Sequence, residues 1–249
     1  MTKTSNANAH TIKGILFDKD GTLLDFNGSW LAPYVQVTQF IAQSMGRPEL
    51  KESLMTDGGF IPETGGWVSD SLLTSASNQQ ILEFWSQQIG QPIVGENLHH
   101  IKQIFSRAAS RYAPAIEDLH GFLNRLKARG MRLGLATMDD EKNARRMLAT
   151  LQLTGLFDFV CGADSGYGVK PEPGMVHAFC QSCGLAAKQV IMVGDSPKDL
   201  NMGKNAGAAY SIGVLTGAHD RAALSAHADD VLDDISCLNR FLRGLNSAP

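Results

Sequence analysis

The chain has 249 residues, of which 43% are hydrophobic, and a formal net charge of -3. That length can bury a full core as one domain or two small ones. The charge offers no basic footprint for nucleic acid, and no run approaches the roughly eighteen apolar residues of a membrane span. The opening MTKTSNANAHT is polar and lacks the apolar stretch of a secretory signal. The expectation is a cytoplasmic protein whose ligands are small molecules.

In chain order, Ile12 to Phe17 reads as a strand that runs straight into two acids, Asp18 and Asp20. Gly21 lets the chain turn sharply there, and Thr22 offers a hydroxyl to bond within the turn. Asp25 solvates the end of that turn. From about Phe26 to Pro114 the pattern changes, with helical spacing over Trp30 to Met45, Asn78 to Ile89 and Leu98 to Tyr112 and no evident strand. On these helices Trp30, Phe40 and Trp85 read as core-facing, and His99 and His100 as surface positions. DGGFIPETGGW, residues 57–67, is rich in Gly and Pro and reads as a loop. Residues 26–114 therefore look like a helical domain inserted between 1–25 and 115–249.

Beyond the insertion, strand-like runs at Met131 to Ala136, Phe157 to Cys161, Val190 to Gly194 and Ala209 to Val214 precede a weaker one at Asp230 to Leu232. Helical stretches lie near Ile116 to Arg129, Asp140 to Leu151, Gly174 to Cys183, Pro197 to Ala206 and Asp233 to Leu242. Alternation of this length predicts an α/β fold, a doubly wound, Rossmann-like parallel sheet with right-handed crossovers. Asp139, Asp140 and Glu141 suit a helix amino terminus, and Lys198, after Pro197, suits solvent. His177, Cys180 and Cys183 have metal-like spacing, but no second ligand pair completes a site, so they read as one helix. The four cysteines read as packing residues in a reducing compartment.

Asp18, Thr137 and Asp195 all occupy carboxyl ends of predicted parallel strands, and Lys170 lies in the loop after the third. That edge is where open parallel sheets bind ligands. Two carboxylates about 4 Å apart repel by roughly 4 kcal/mol at an effective dielectric near 20, so Asp18, Asp195 and Asp199 call for a cation. Hard oxygens without a full cage of side chains suit Mg2+. With Lys170 as a further positive charge and Thr137 as a hydroxyl donor, the inventory matches phosphoryl transfer. Asp18 can attack phosphorus and carry an aspartyl-phosphate. Asp20 can protonate the leaving alkoxide and then deprotonate water, a contribution typically worth about a hundred- to ten-thousandfold.

DKDGT at 18–22, LGLAT ending at Thr137, VKPEPGM around Lys170 and GDSPKD at 194–199 follow one another in that order. Together they resemble the four motifs of the haloacid dehalogenase superfamily, on its phosphatase side. The resemblance implies a magnesium-dependent phosphatase or phosphotransferase. Its metal ligands would be Asp18, the main-chain carbonyl of Asp20, and Asp195, with Asp199 acting directly or through water. The insertion is similar to the helical cap of the phosphoglycolate phosphatase and beta-phosphoglucomutase group. Such a cap closes over the site and excludes water, with residues 57–67 as the substrate-reading element. Lys19 departs from that group, where an apolar residue more often separates the two acids. Some sugar-phosphate and histidinol-phosphate phosphatases carry a basic residue there, without a large cap.

The expected substrate is a small phosphorylated metabolite, a two-carbon acid or a sugar phosphate. A phosphomutase would share all four motifs, so product analysis decides between the two. Dehalogenation has no alkoxide to protonate and needs no Asp20. A receiver-type signalling domain has its acceptor Asp on a later strand and no inserted cap. A non-catalytic scaffold would not need the full set of reactive side chains.

Overall fold

The computed structural model describes residues 11–69, 71–76, 78–108 and 112–246. Its framework is a six-stranded parallel sheet of β1 (Gly14–Phe17), β4 (Arg132–Ala136), β5 (Phe159–Cys161), β6 (Val190–Gly194), β7 (Tyr210–Val214) and β8 (Asp230–Leu232), in the order β5-β4-β1-β6-β7-β8. β1 lies between β4 and β6, with Gly14 in register with both Arg132 and Val190. It hydrogen-bonds on both edges and is covered on both faces, which is why its sequence is continuously apolar. Alternate side chains go to opposite sides. Ile15 and Phe17 join a core with Leu133, Leu135, Ile191 and Val193, whereas Leu16 joins Ala136, Met192 and Phe179 on the other face.

Helices α6 (Leu119–Ala128), α7 (Glu141–Thr150) and α11 (Leu238–Asn246) belong to the first face. Helices α8 (Gly174–Cys183) and α9 (Pro197–Asn205) belong to the second, and α10 (Arg221–Ser225) lies beside β8. The sheet is the doubly wound one that strand-helix alternation predicts. β1, β4, β5 and β7 start one or two residues later than their apolar runs suggest, whereas β6 and β8 start at Val190 and Asp230 as expected. The last helix begins at Leu238, after a short 3-10 turn at Ile235–Cys237, where the sequence suggested Asp233. On α8, His177 is exposed while Cys180 is buried, so the two do not share an environment.

Between β1 and α6 come α1 (Phe26–Met45), α2 (Leu50–Thr56), α3 (Leu72–Ser75), α4 (Asn78–Ile89) and α5 (Gly95–Ala108), with a hairpin of β2 (Phe60–Ile61) and β3 (Gly66–Trp67). These elements bury a separate apolar cluster around Tyr34, Val37, Leu54, Ile81, Trp85 and Ile101. Residues 57–67, expected to be a loop, instead form that antiparallel hairpin. α1 starts at Phe26 because Asp25 caps it, its carboxylate accepting from Gly28 N at 2.5 Å. Asp25 is thus a helix cap and does more than solvate a turn. The chain crosses between the two cores side by side: Asp25 N donates to Ala113 O and Ala115 N to Leu23 O, both at 2.9 Å.

Candidate active site

Strand order reverses direction around β1 and β6, and the crevice beyond their carboxyl ends is the place where such a sheet leaves room for a ligand. Asp18 emerges there from β1 and Asp195 from β6. Asp199 sits in the first turn of α9, which begins Ser-Pro, a cap residue followed by Pro at the first helical position. The Ser196 hydroxyl donates to Asp199 Oδ2 at 2.6 Å, and Ser196 N donates to the same oxygen at 3.1 Å. This fixes the Asp199 carboxylate and leaves its other oxygen for Lys170, whose Nζ donates to it at 2.6 Å. Lys170 also donates to Asp18 Oδ1. The lysine loop is tied to α9 by Asn205 Nδ2, which donates to Pro171 O at 2.9 Å.

One oxygen from each of Asp18, Asp195 and Asp199 lies within 4.8 Å of the others, and all three residues are buried. Three carboxylates against one ammonium leave negative charge in excess. Burial pushes Asp18 up to about 7, with Lys170 opposing and Asp199 and Asp20 reinforcing the shift. Burial likewise carries Asp195 well above the ordinary carboxylate range, helped by Asp18 and Asp199. For Lys170, burial acts against the ammonium, but Asp18 and Asp199 together outweigh it and hold the group above an ordinary lysine. Ionising this cluster fully requires a further cation, and a donor set made only of carboxylate oxygens suits a hard divalent one.

Glycines permit the close packing. Gly21 has a φ of +78°, and a Cβ there, or at Gly217, would collide with the Asp195 carboxylate. Thr216 Oγ1 donates to Gly21 O at 2.7 Å and so pins the loop after β7 against the turn after β1. The Thr22 hydroxyl, expected to bond within that turn, is buried without a hydrogen-bond partner among the described residues. Thr137 is buried at the end of β4, its N–H donating to Cys161 O and its hydroxyl accepting from Asp139 N, each at 3.1 Å.

Asp20 is held from two sides. Lys19 Nζ approaches its Oδ2 at 3.1 Å, and the Trp30 indole N–H donates to its Oδ1 at 3.3 Å. Trp30 is therefore a bridge from α1 to the sheet edge and not a core residue alone, though it also stacks on Tyr34 with centroids 5.7 Å apart. The hairpin stands against the same turn of α1, since Trp67 Nε1 donates to Asn27 Oδ1 at 2.5 Å. Asp139 is also more than a helix-start acid: Asp140 occupies the N-cap position of α7 without a side-chain capping bond, while Asp139 pairs with Lys19 at 2.5 Å. Lys198, His99 and His100 are exposed, as their positions suggested.

Asp18, Asp20, Thr137, Lys170, Asp195 and Asp199 thus gather at one sheet edge from four separate segments. Lys19, Asp139, Trp30 and the Thr216-Gly217 loop join them without having stood out as site residues. The basic residue between two acids was the available signal for Lys19. The other three needed the fold.

The profile of the family described as haloacid dehalogenase-like hydrolase matches residues 12–207. A phosphoglycolate phosphatase of Vibrio cholerae is 27% identical over 229 residues, covering 92% of this chain and 96% of that protein. That of Escherichia coli K12 is 26% identical over 231 residues, covering 89% and 88%. Among solved structures, a HAD family hydrolase from Deinococcus radiodurans R1, with bound phosphate and sodium, superposes with a TM-score of 0.71 at 21% identity, covering 95% of this chain and 97% of that one.

Proposed function

The chain belongs to the haloacid dehalogenase-like hydrolases, and from that premise we propose that it is a magnesium-dependent phosphatase that hydrolyses a small phosphomonoester through an aspartyl-phosphate on Asp18. The observation that carries this reading is the buried group of Asp18, Asp195 and Asp199, with Lys170 bonded to two of them. Asp18, the main-chain carbonyl of Asp20, and Asp195 would hold Mg2+, with Asp199 fixed behind them by its capping box. When bound, the ion neutralises phosphoryl oxygens and keeps Asp18 ionised.

The protein's own residues then divide the work. A carboxylate oxygen of Asp18 attacks phosphorus as the bond to the leaving oxygen breaks, and Asp20 gives its proton to that oxygen. In the second step Asp20 takes a proton from water as the water oxygen attacks phosphorus, and the Asp18 carboxylate departs. Lys170 and the Thr137 hydroxyl offset charge on the phosphoryl group. Residues 26–114 serve as a cap over 1–25 and 115–249, and the hairpin within 57–67 faces the leaving group. The names of the relatives favour phosphoglycolate or a similarly small phosphate ester as substrate. We place the protein in the cytoplasm, in keeping with four free cysteines. Among the described residues no helix is long and apolar enough to cross a membrane.

The test is phosphate release from phosphoglycolate, glycerol phosphate, hexose phosphates and p-nitrophenyl phosphate, with Mg2+ or with chelator. The expected result is release that requires the metal and is abolished in Asp18→Asn. Metal-independent release, or substantial activity in Asp18→Asn, overturns the reading. Isomerised sugar phosphate without net phosphate release would identify a mutase instead.

A further inference from the structure

Lys19 is 4% exposed, yet it carries a charge and lies between two acids that are each about a third open to solvent or less, at 27% for Asp20 and 32% for Asp139. Its ammonium stands 3.1 Å from Asp20 Oδ2 and 2.5 Å from Asp139 Oδ2. Asp139 is itself immobilised, because its Oδ1 accepts from Asn143 Nδ2 and from Asp140 N, both at 2.8 Å. Its own N–H bonds the Thr137 hydroxyl at 3.1 Å. A continuous chain of contacts therefore runs from the start of α7 through Asp139 and Lys19 to one oxygen of Asp20. Trp30 engages the other oxygen.

We infer that Lys19, braced by Asp139, is a positioning residue that fixes the orientation of the Asp20 carboxyl group toward the leaving oxygen. The inference rests on the reading of Asp20 as the acid-base. An aspartate side chain rotates readily about its last bond, whereas proton transfer needs heavy atoms within about 2.6–3.2 Å of each other. An ammonium anchored behind the carboxylate removes that freedom and leaves the solvent side of Asp20 open to substrate. Misplacement of a reacting group by about 1 Å can cost on the order of a hundredfold.

Leaving-group dependence separates this role from a merely structural ion pair. An alkoxide is a poor leaving group and needs the proton, while p-nitrophenolate leaves without it. kcat/KM reports the steps through leaving-group departure, so it is the quantity to compare. For Lys19→Met, kcat/KM on the alkyl phosphate best used by the wild type should fall roughly 10- to 100-fold, while that on p-nitrophenyl phosphate stays within about threefold. Asp139→Asn should show the same selectivity with a smaller loss, and it carries the test if Lys19→Met does not fold. Equal losses on both substrates, or an alkyl rate at or above wild type, overturn the positioning role. Asp20→Asn is the control for the underlying reading. If it shows no alkyl-selective loss, the acid-base assignment falls; if it does and the Lys19 and Asp139 variants do not, only the positioning role falls.

Discussion

Asp18 is the residue at which burial and charge oppose each other most directly. Burial raises it to about 7 from an ordinary 3.8, so below about pH 7 the fold favours its protonated form. A group raised in this way contributes stability that is complete below its unfolded pKa and is lost as pH rises through its folded one. Without metal, stability should therefore decline between about pH 4 and pH 7 on account of this site. Mg2+ competes with that proton. The rise in Tm on adding Mg2+ should be small near pH 5 and reach roughly 5–10 °C near pH 8, for a concentration about 100-fold above Kd. A shift independent of pH would show that the ion binds elsewhere. Lys170→Met removes the ammonium shared by Asp18 and Asp199. It should lower kcat by roughly a hundredfold or more, measured as phosphate release at saturating Mg2+. The acids, Thr137 and Lys170 were legible because each follows an apolar strand or the loop after one. Lys19 and Asp139 lie 120 positions apart, and only the packing of β1 beside β4 makes them partners.

At the scale of elements, Asp158 joins α6 to β4. It accepts from Lys127 Nζ at 2.7 Å, Arg132 at 2.8 Å and Leu133 N at 2.9 Å. Burial works to raise its pKa, but those three donors prevail and hold it below the usual range. A depressed pKa gives stability that is present above the unfolded value and lost as pH falls through the folded one. Asp158→Asn should cost roughly 1–2 kcal/mol at neutral pH by denaturant unfolding. The difference from wild type should begin to shrink as pH falls below about 4 and close once pH is below the lowered folded value; a difference that does not shrink as pH falls would mean the loss is not electrostatic. The long helices and the buried strands were legible from periodicity, since each buries one stripe or two faces. The hairpin at 60–67 was not. Its strands have two residues each, too few to show alternation, and its glycines signalled only a turn. Helices α2, α3 and α10 were missed for the same reason of length.

At the scale of the molecule, the break in alternation after the first strand disclosed a second core but not its seating. That seating rests on the paired crossing at Leu23–Asp25 and Ala113–Ala115 and on the Trp30–Asp20 contact, none of which has a sequence pattern. All three tryptophans, Trp30, Trp67 and Trp85, lie in the helical block, whereas the acids lie at the sheet edge. Intrinsic fluorescence therefore reports on one core, while the proposed ligand site lies at the other. Vanadate with Mg2+ should change the emission of wild type, and Trp30→Phe should lose most of that change. A change of wild-type size in Trp30→Phe would show that the blocks communicate by another contact.

The most direct test of the central claim is to quench wild-type protein in acid during turnover with Mg2+ and substrate, then map any phosphoryl adduct by peptide mass spectrometry. The account predicts the adduct on the peptide that contains Asp18, none in Asp18→Asn, and a kcat in that variant lowered by roughly ten-thousandfold or more. An adduct on another peptide, or turnover in Asp18→Asn near the wild-type rate, would contradict it.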